Sequence, residues 1–248
     1  MTAPEPAPRQ FATEPEEESP ERPVSAFGIG PGNPSYLHPR ARSILESADV
    51  LVGFETVLDR VRHLTDADVL SCTYDTEADR LAAFADRVED GEAGAAALMG
   101  DPNVSGYAFL GKVERAVDRP VRVTPGVSSV QVAASRSRTP FESSTVVTLH
   151  ARGDLDGAFD RLVREAGDRN LLLLPRPFDY MPERIASVLV GRGVDGSLPV
   201  HVHERLTFED EACTRTTLAE LAATDSTADG DGDSAFCDLS VVVVRGRR

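Results

Sequence analysis

"AAALMGDPNVSGYAFLG", residues 95–111, decides how the rest of the chain is read. A run of small and apolar residues stops at Gly100-Asp101-Pro102, and a helix-like segment follows. A short apolar run fits a strand covered on both faces. A glycine turn between such a strand and a helix is where open α/β sheets seat ligands.

The same order recurs on both sides of this stretch. Strand-like runs occur at "VSAFGIG" (24–30), "DVLVGF" (49–54), "VRVTPG" (121–126), "STVVTLH" (144–150), "NLLLLP" (170–175), "PVHVHERL" (199–206) and "LSVVVV" (239–244). Helical patterns lie at 37–47, 76–89, 128–137, 156–166 and 180–190. Alternation of this kind predicts α/β layering with mainly parallel strands. The pattern restarts near residue 143, which predicts two α/β lobes, 23–143 and 144–248, the second with a hairpin around "FEDEACTRTT" (208–217). Residues 1–22, rich in Pro and Glu, are expected to form a disordered acidic tail, because they carry too little apolar surface to offset ordering. "TDSTADGDGDSA" (224–235) reads as a mobile acidic loop. It lacks the Glu that closes a calcium-binding EF-hand loop.

Composition narrows the function classes. The chain has 248 residues, with 41 acidic against 26 basic and a formal net charge of -15. Lys112 is its only lysine. Nucleic acid is disfavoured as a partner, since phosphate backbones need a cationic surface. The acidity reads as adaptation to a salty cytoplasm, an acidic mesophilic protein being the alternative. Cys72, Cys213 and Cys237 form no CxxC pair, which argues for a reducing compartment and no metal site. The absence of a long apolar run and of a signal-peptide pattern predicts a soluble cytoplasmic protein with no membrane partner.

Three loops carry the chemistry. "GIGPGNPSYLHPRA" (28–41) is not a dinucleotide fingerprint. Asn33 stands at its third glycine position, and Pro31 and Pro34 remove donors that a pyrophosphate would use. No Gly-Lys-Ser/Thr of a Walker loop occurs either. A stiff Gly/Pro turn instead lets backbone approach a ligand closely. Gly100, Asp101 and Pro102 have the same character, and "TPGVSSVQVAASR" (124–136) adds Ser128 and Ser129, which cap a helix or donate hydroxyls to a ligand.

The ordered set "GIGPGNPSYL", "GDP", "TPGVSSVQVAA" and "TLHAR" resembles the tetrapyrrole methylase family of S-adenosylmethionine-dependent methyltransferases, over residues 24–246. Gln131 after the Ser-Ser pair, the strand end Leu149-His150-Ala151-Arg152 and "VHERLTFEDE" (202–211) most resemble its cobalamin-pathway members that methylate C5 of a corrin precursor. Asn33, Ala151 and His38 stand where that family more often has Asp, Gly and Thr.

The resemblance implies two unlike lobes with S-adenosylmethionine folded between them. It implies cofactor contacts from Gly100, Asp101, Val104, Ser128, Ser129 and Leu174, with Pro31 near the methyl group. A sulfonium is positive, so carbonyls and a carboxylate suit it better than a nest of N–H donors. His150 is a candidate proton acceptor, a buried core histidine being the alternative reading. The carboxylates of a tetrapyrrole substrate point to arginines beside the loops, namely Arg152, Arg136 and Arg40. The resemblance further implies a homodimer and, since no C15-methylating or decarboxylating segment is present, a separate enzyme as functional partner. Methylation of another ring position, a protein acceptor, and a non-catalytic binding subunit are the alternatives.

Overall fold

The computed structural model describes residues 22–104, 106–150, 153–177, 179–225 and 233–247. The expected tail falls outside these residues except for Arg22. So do most of the acidic loop (226–232) and Arg152.

The chain divides into two units between Ser128 and Ser129. The first holds a five-stranded sheet built from β1 (Val24–Gly28), β2 (Val50–Phe54), β3 (Asp68–Cys72), β4 (Gly94–Leu98) and β5 (Val121–Thr124). Their order is β3-β2-β4-β1-β5, and every pairing is parallel. Parallel neighbours need crossover connections, which α1 (Pro39–Ser47), α2 (Glu55–Leu58), α3 (Glu77–Glu89) and α4 (Tyr107–Ala116) help supply.

Successive strand residues point to opposite faces, and both faces are dry. Val24, Ala26, Val50, Val52, Ala96 and Leu98 meet Leu81, Phe84, Phe109 and Val113 on one side. Phe27, Leu51, Ala95 and Ala97 meet Ala41, Leu45, Val57 and Leu58 on the other. This explains why β1, β2 and β4 read as continuous apolar runs. Full burial of a residue such as Phe84 stabilises by about 1.5–3 kcal/mol. His38 caps α1, its Nδ1 accepting the Arg40 N–H at 3.1 Å, so a cap persists where the family more often has Thr.

The second unit contains α5 (Ser129–Ser137), β6 (Ser144–Thr148), α6 (Asp156–Glu165), β7 (Asn170–Leu174), α7 (Pro182–Gly191), β8 (Pro199–Glu204), β9 (Ala212–Thr217), α8 (Leu218–Ala222) and β10 (Ser240–Val244). The sheet order is β6-β7-β10-β8-β9. The expectation of a mainly parallel second sheet is corrected here: only β6 and β7 run parallel, while β7-β10, β10-β8 and β8-β9 are antiparallel. The link from β8 to β9 spans only residues 205–211, too short for a parallel crossover, so it closes a hairpin.

α6, α7 and α8 cover one face through Phe159, Leu162, Ile185, Leu189, Leu218 and Leu221. α5 lies against β7 and β10. That contact is why the division falls before α5 and not at 143/144.

Candidate functional site

In the first unit the three glycine loops leave the ends of β4, β1 and β5, which are adjacent strands. Neighbouring strands are about 4.8 Å apart, so the loops are forced together. Their backbones interlock: a Cβ on Gly28 would lie 2.3 Å from the Gly100 carbonyl oxygen and 2.9 Å from the Gly126 Cα. A Cβ on Gly126 would lie 2.3 Å from the same oxygen. Gly100 has φ 59° and Gly30 has φ 81°, left-handed conformations that glycine adopts without strain. The Gly30 N–H donates to the Gly100 carbonyl at 3.2 Å.

Asp101 joins the set. Its Oδ2 accepts the Gly126 N–H at 3.1 Å, and its Oδ1 accepts the Asn103 N–H at 2.8 Å. The Val104 N–H donates to the Asp101 carbonyl at 3.0 Å. Asp101 therefore positions two loops. Ser128, two residues beyond Gly126, is 2% exposed. Pro31 belongs to the first loop, where the Asn33 side chain accepts the Ser35 N–H at 2.9 Å and caps the turn Pro34–Tyr36. That contact gives Asn33 a structural role where the family more often has Asp. Loop residues 28–34, 100–104 and 124–128 contain no Lys or Arg, so none of the three loops itself sets a lysine or arginine against a sulfonium. The donor set of carbonyls with one carboxylate fits S-adenosylmethionine.

Beside these loops the same sheet edge is apolar and open. Met99 (40% exposed) ends the β4 run, Tyr107 (45%) begins α4, and Tyr74 (78%) follows β3. The Phe54 ring lies 5.3 Å from Tyr74 and 5.1 Å from Phe109.

In the second unit His150 and Leu174 meet where parallel β6 and β7 end, the Leu149 N–H donating to the Leu174 carbonyl at 3.0 Å. His150 is reached by solvent, yet the protein packed around its ring lowers its pKa. A hydrogen bond to the Pro175 carbonyl opposes that shift. Arg176 secures this edge. It donates to the Gly153 carbonyl at 3.2 Å, pairs with Asp179 at 2.6 Å and stacks 5.0 Å over Tyr180.

Two sequence-predicted arginines sit elsewhere. Arg136, in the last turn of α5, binds both carboxylate oxygens of Glu211 at 2.8 and 3.4 Å. Seven residues of helix, about 10 Å, separate it from Ser129. Glu211 also accepts the Thr207 N–H at 2.8 Å and so holds the β8–β9 turn, where Thr207 has φ 73°. The expected place of Arg40 beside the glycine loops is corrected as well. It lines a cleft at the opposite end of β1, with Ser25 and Arg122.

Among the described residues no cluster of three or more His, Cys, Asp or Glu forms a metal site, and no helix is long and apolar enough to cross a membrane. Cys72, Cys213 and Cys237 are unbridged, and burial pushes the Cys72 thiol up to about 11, which leaves it protonated and inert.

The first unit thus presents a parallel sheet with three interlocked glycine loops at adjacent strand ends, carrying neither a dinucleotide fingerprint nor a Walker loop. The chain belongs to the family described as Tetrapyrrole (Corrin/Porphyrin) Methylases, matched over residues 24–222, whose members use S-adenosylmethionine as methyl donor. It is 25% identical over 223 residues to a probable cobalt-precorrin-7 C(5)-methyltransferase of Methanocaldococcus jannaschii, covering 90% of this chain and 98% of the relative. Among solved structures it is similar to precorrin-6Y methylase from Archaeoglobus fulgidus, with a TM-score of 0.61, 21% identity and coverage of 91% and 99% of the two chains. It is also similar to uroporphyrin-III C-methyl transferase from Thermus thermophilus complexed with S-adenyl homocysteine, with a TM-score of 0.67, 22% identity and coverage of 90% and 92%.

Proposed function

We propose that this protein transfers a methyl group from S-adenosylmethionine to C5 of a (cobalt-)precorrin macrocycle in cobalamin biosynthesis. The observation that carries the donor half is the interlock of Gly28, Gly100 and Gly126 tied by Asp101. The C5 half is supported by the end-to-end likeness to the archaeal C(5)-methyltransferase.

The donor supplies an electrophilic methyl carbon and leaves as a neutral thioether. The new C–C bond uses the electron pair of a ring carbon, the C–S pair stays on sulfur, and a proton is then lost to a base or to water. Gly100, Asp101 and Val104 offer the seat for the donor, with Ser128, Ser129 and Leu174 as further contacts and Pro31 stiffening the first loop. Positioning dominates such a displacement and is worth up to about 7–11 kcal/mol. His150, with its lowered pKa, is neutral at pH 7 and fit to accept the ring proton. Met99, Tyr107 and Tyr74 give the sheet edge an apolar surface suited to the face of a flat macrocycle. Arg152 is assigned to the substrate's carboxylates. A homodimer working with a separate C15-methylating, decarboxylating enzyme completes the reading.

Incubation with a 13C-methyl donor and the C5-unmethylated ring tests it. A new methyl resonance coupled to C5 supports the assignment, and a methyl at another ring carbon moves the enzyme to a sister reaction. Label found on a protein band, or tight donor binding without turnover, favours a protein acceptor or a non-catalytic subunit.

A further inference from the structure

The cleft that contains Arg40 has a composition unlike the rest of the chain. It encloses about 350 Å³ and is lined by Arg22, Pro23, Ser25, Arg40, Ser43, Ile44, Ser47 and Arg122. Residues 40, 43, 44 and 47 share one face of α1. Ser25 and Arg122 are partners in the β1–β5 register, so they share one face of the sheet. Helix, sheet and the segment entering β1 thus converge on one spot from three directions.

The electrostatics are anomalous. The protein carries 41 acidic residues, yet no carboxylate lines this cleft. Among the described residues Arg22, Arg40 and Arg122 make no ion pair, although Arg62, Arg87, Arg136, Arg176, Arg192 and Arg205 all do. Three guanidinium groups facing one small space repel one another, and that repulsion is relieved by a bound anion. The Ser25 hydroxyl adds a hydrogen-bond donor, Ser43 and Ser47 donate to the Pro39 and Ile44 carbonyls at 3.2 and 3.3 Å, and Ile44 closes an apolar side.

We propose that this cleft binds a small polyanion, a molecule with two or more phosphate or carboxylate groups. A single weak anion would be displaced by salt, whereas forked arginines hold multiply charged groups in bidentate fashion. About 350 Å³ lies at the small end of ligand pockets and is too little for a whole tetrapyrrole. The site is separate from the methyl donor's loops. Those leave the far ends of the strands, about five residues or 16 Å along β1.

Calorimetric titration of the full chain with inorganic pyrophosphate and, separately, with citrate at low ionic strength tests this. One anion binds per chain, affinity falls with added NaCl, and the Arg40→Gln/Arg122→Gln variant loses at least tenfold. Saturating S-adenosylhomocysteine leaves the binding unchanged. The stronger of the two probes separates phosphate from carboxylate recognition. Both arginines are exposed, and the single variant Arg122→Gln, checked by circular dichroism, serves if the double variant misfolds. Failure of both anions to bind, or equal binding by the variants, overturns the proposal. Binding that emerges only after Glu16, Glu17 and Glu18 are replaced by Gln also overturns it, because the cleft is then filled by the chain's own acidic segment.

Discussion

Asp101 Oδ2 accepts the backbone N–H of Gly126 at 3.1 Å, a bond between two loops 25 residues apart in sequence. The carboxylate therefore acts first on the protein. It fixes the loop that ends at Ser128 against the loop that begins at Gly100.

Replacing Asp101 by Ala removes acceptors for Gly126 and Asn103 together. Hydrogen bonds to a charged group are each worth roughly 1.5–3 kcal/mol. Asp101→Ala should lower stability by one such bond, roughly 1.5–3 kcal/mol, because the exposed Asn103 N–H finds water instead, and weaken S-adenosylhomocysteine binding at least tenfold, while Asp101→Asn, which keeps one carbonyl acceptor, loses less. Denaturant melts and calorimetry of the two variants check this ordering.

Gly126→Ala places a methyl 2.3 Å from the Gly100 carbonyl, a contact that only a backbone shift relieves. Overpacking of this kind costs about 1–3 kcal/mol and should impair donor binding. Gly157, exposed in α6, has nothing within 4 Å of its added Cβ, so Gly157→Ala should be neutral or stabilising by up to about 1 kcal/mol. Equal effects from the two substitutions would refute the interlock.

These two glycines show what the chain made legible. The first sheet could be read because strands covered on both faces form unbroken apolar runs ending in Gly/Pro turns. β3, "DVLSC", escaped because it is a half-buried edge strand with polar Asp68 and Ser71. The direction of β10 was hidden because "VVVV" satisfies a buried parallel strand and a buried antiparallel one alike. The glycine loops were visible as candidates, but the role of Asp101 depends on β4, β1 and β5 being neighbours, a long-range fact that residue patterns do not carry. Arg40 and Arg136 were placed by proximity in sequence, and helix geometry turned each elsewhere.

His203 is 2% exposed, its Nε2 2.7 Å from the Ser137 hydroxyl, which also lies 3.0 Å from His201 Nδ1. Burial first, then the charge of His201, brings its pKa down from 6.5 to about 4. The unfolded chain thus binds the proton more readily, so this stability is present above pH 6.5 and is lost as pH falls towards 4. The loss approaches about 3 kcal/mol at full protonation. Urea midpoints measured from pH 7 to pH 4 should fall in the parent and fall less in His203→Gln.

His150→Gln should cut turnover about 100-fold if the ring proton leaves through this side chain, with S-adenosylhomocysteine affinity unchanged. Because its pKa lies below the ordinary 6.5, the acid limb of kcat/KM should fall below that pH and disappear in the variant. An unaltered pH profile would hand the proton to water.

A crystal structure with S-adenosylhomocysteine decides whether the three glycine loops hold the methyl donor. The ligand should lie against residues 100–104 and 124–128, its sulfur near backbone carbonyls and no arginine or lysine of those loops beside it. Density at any other place in the chain, with those loops bare, would contradict it.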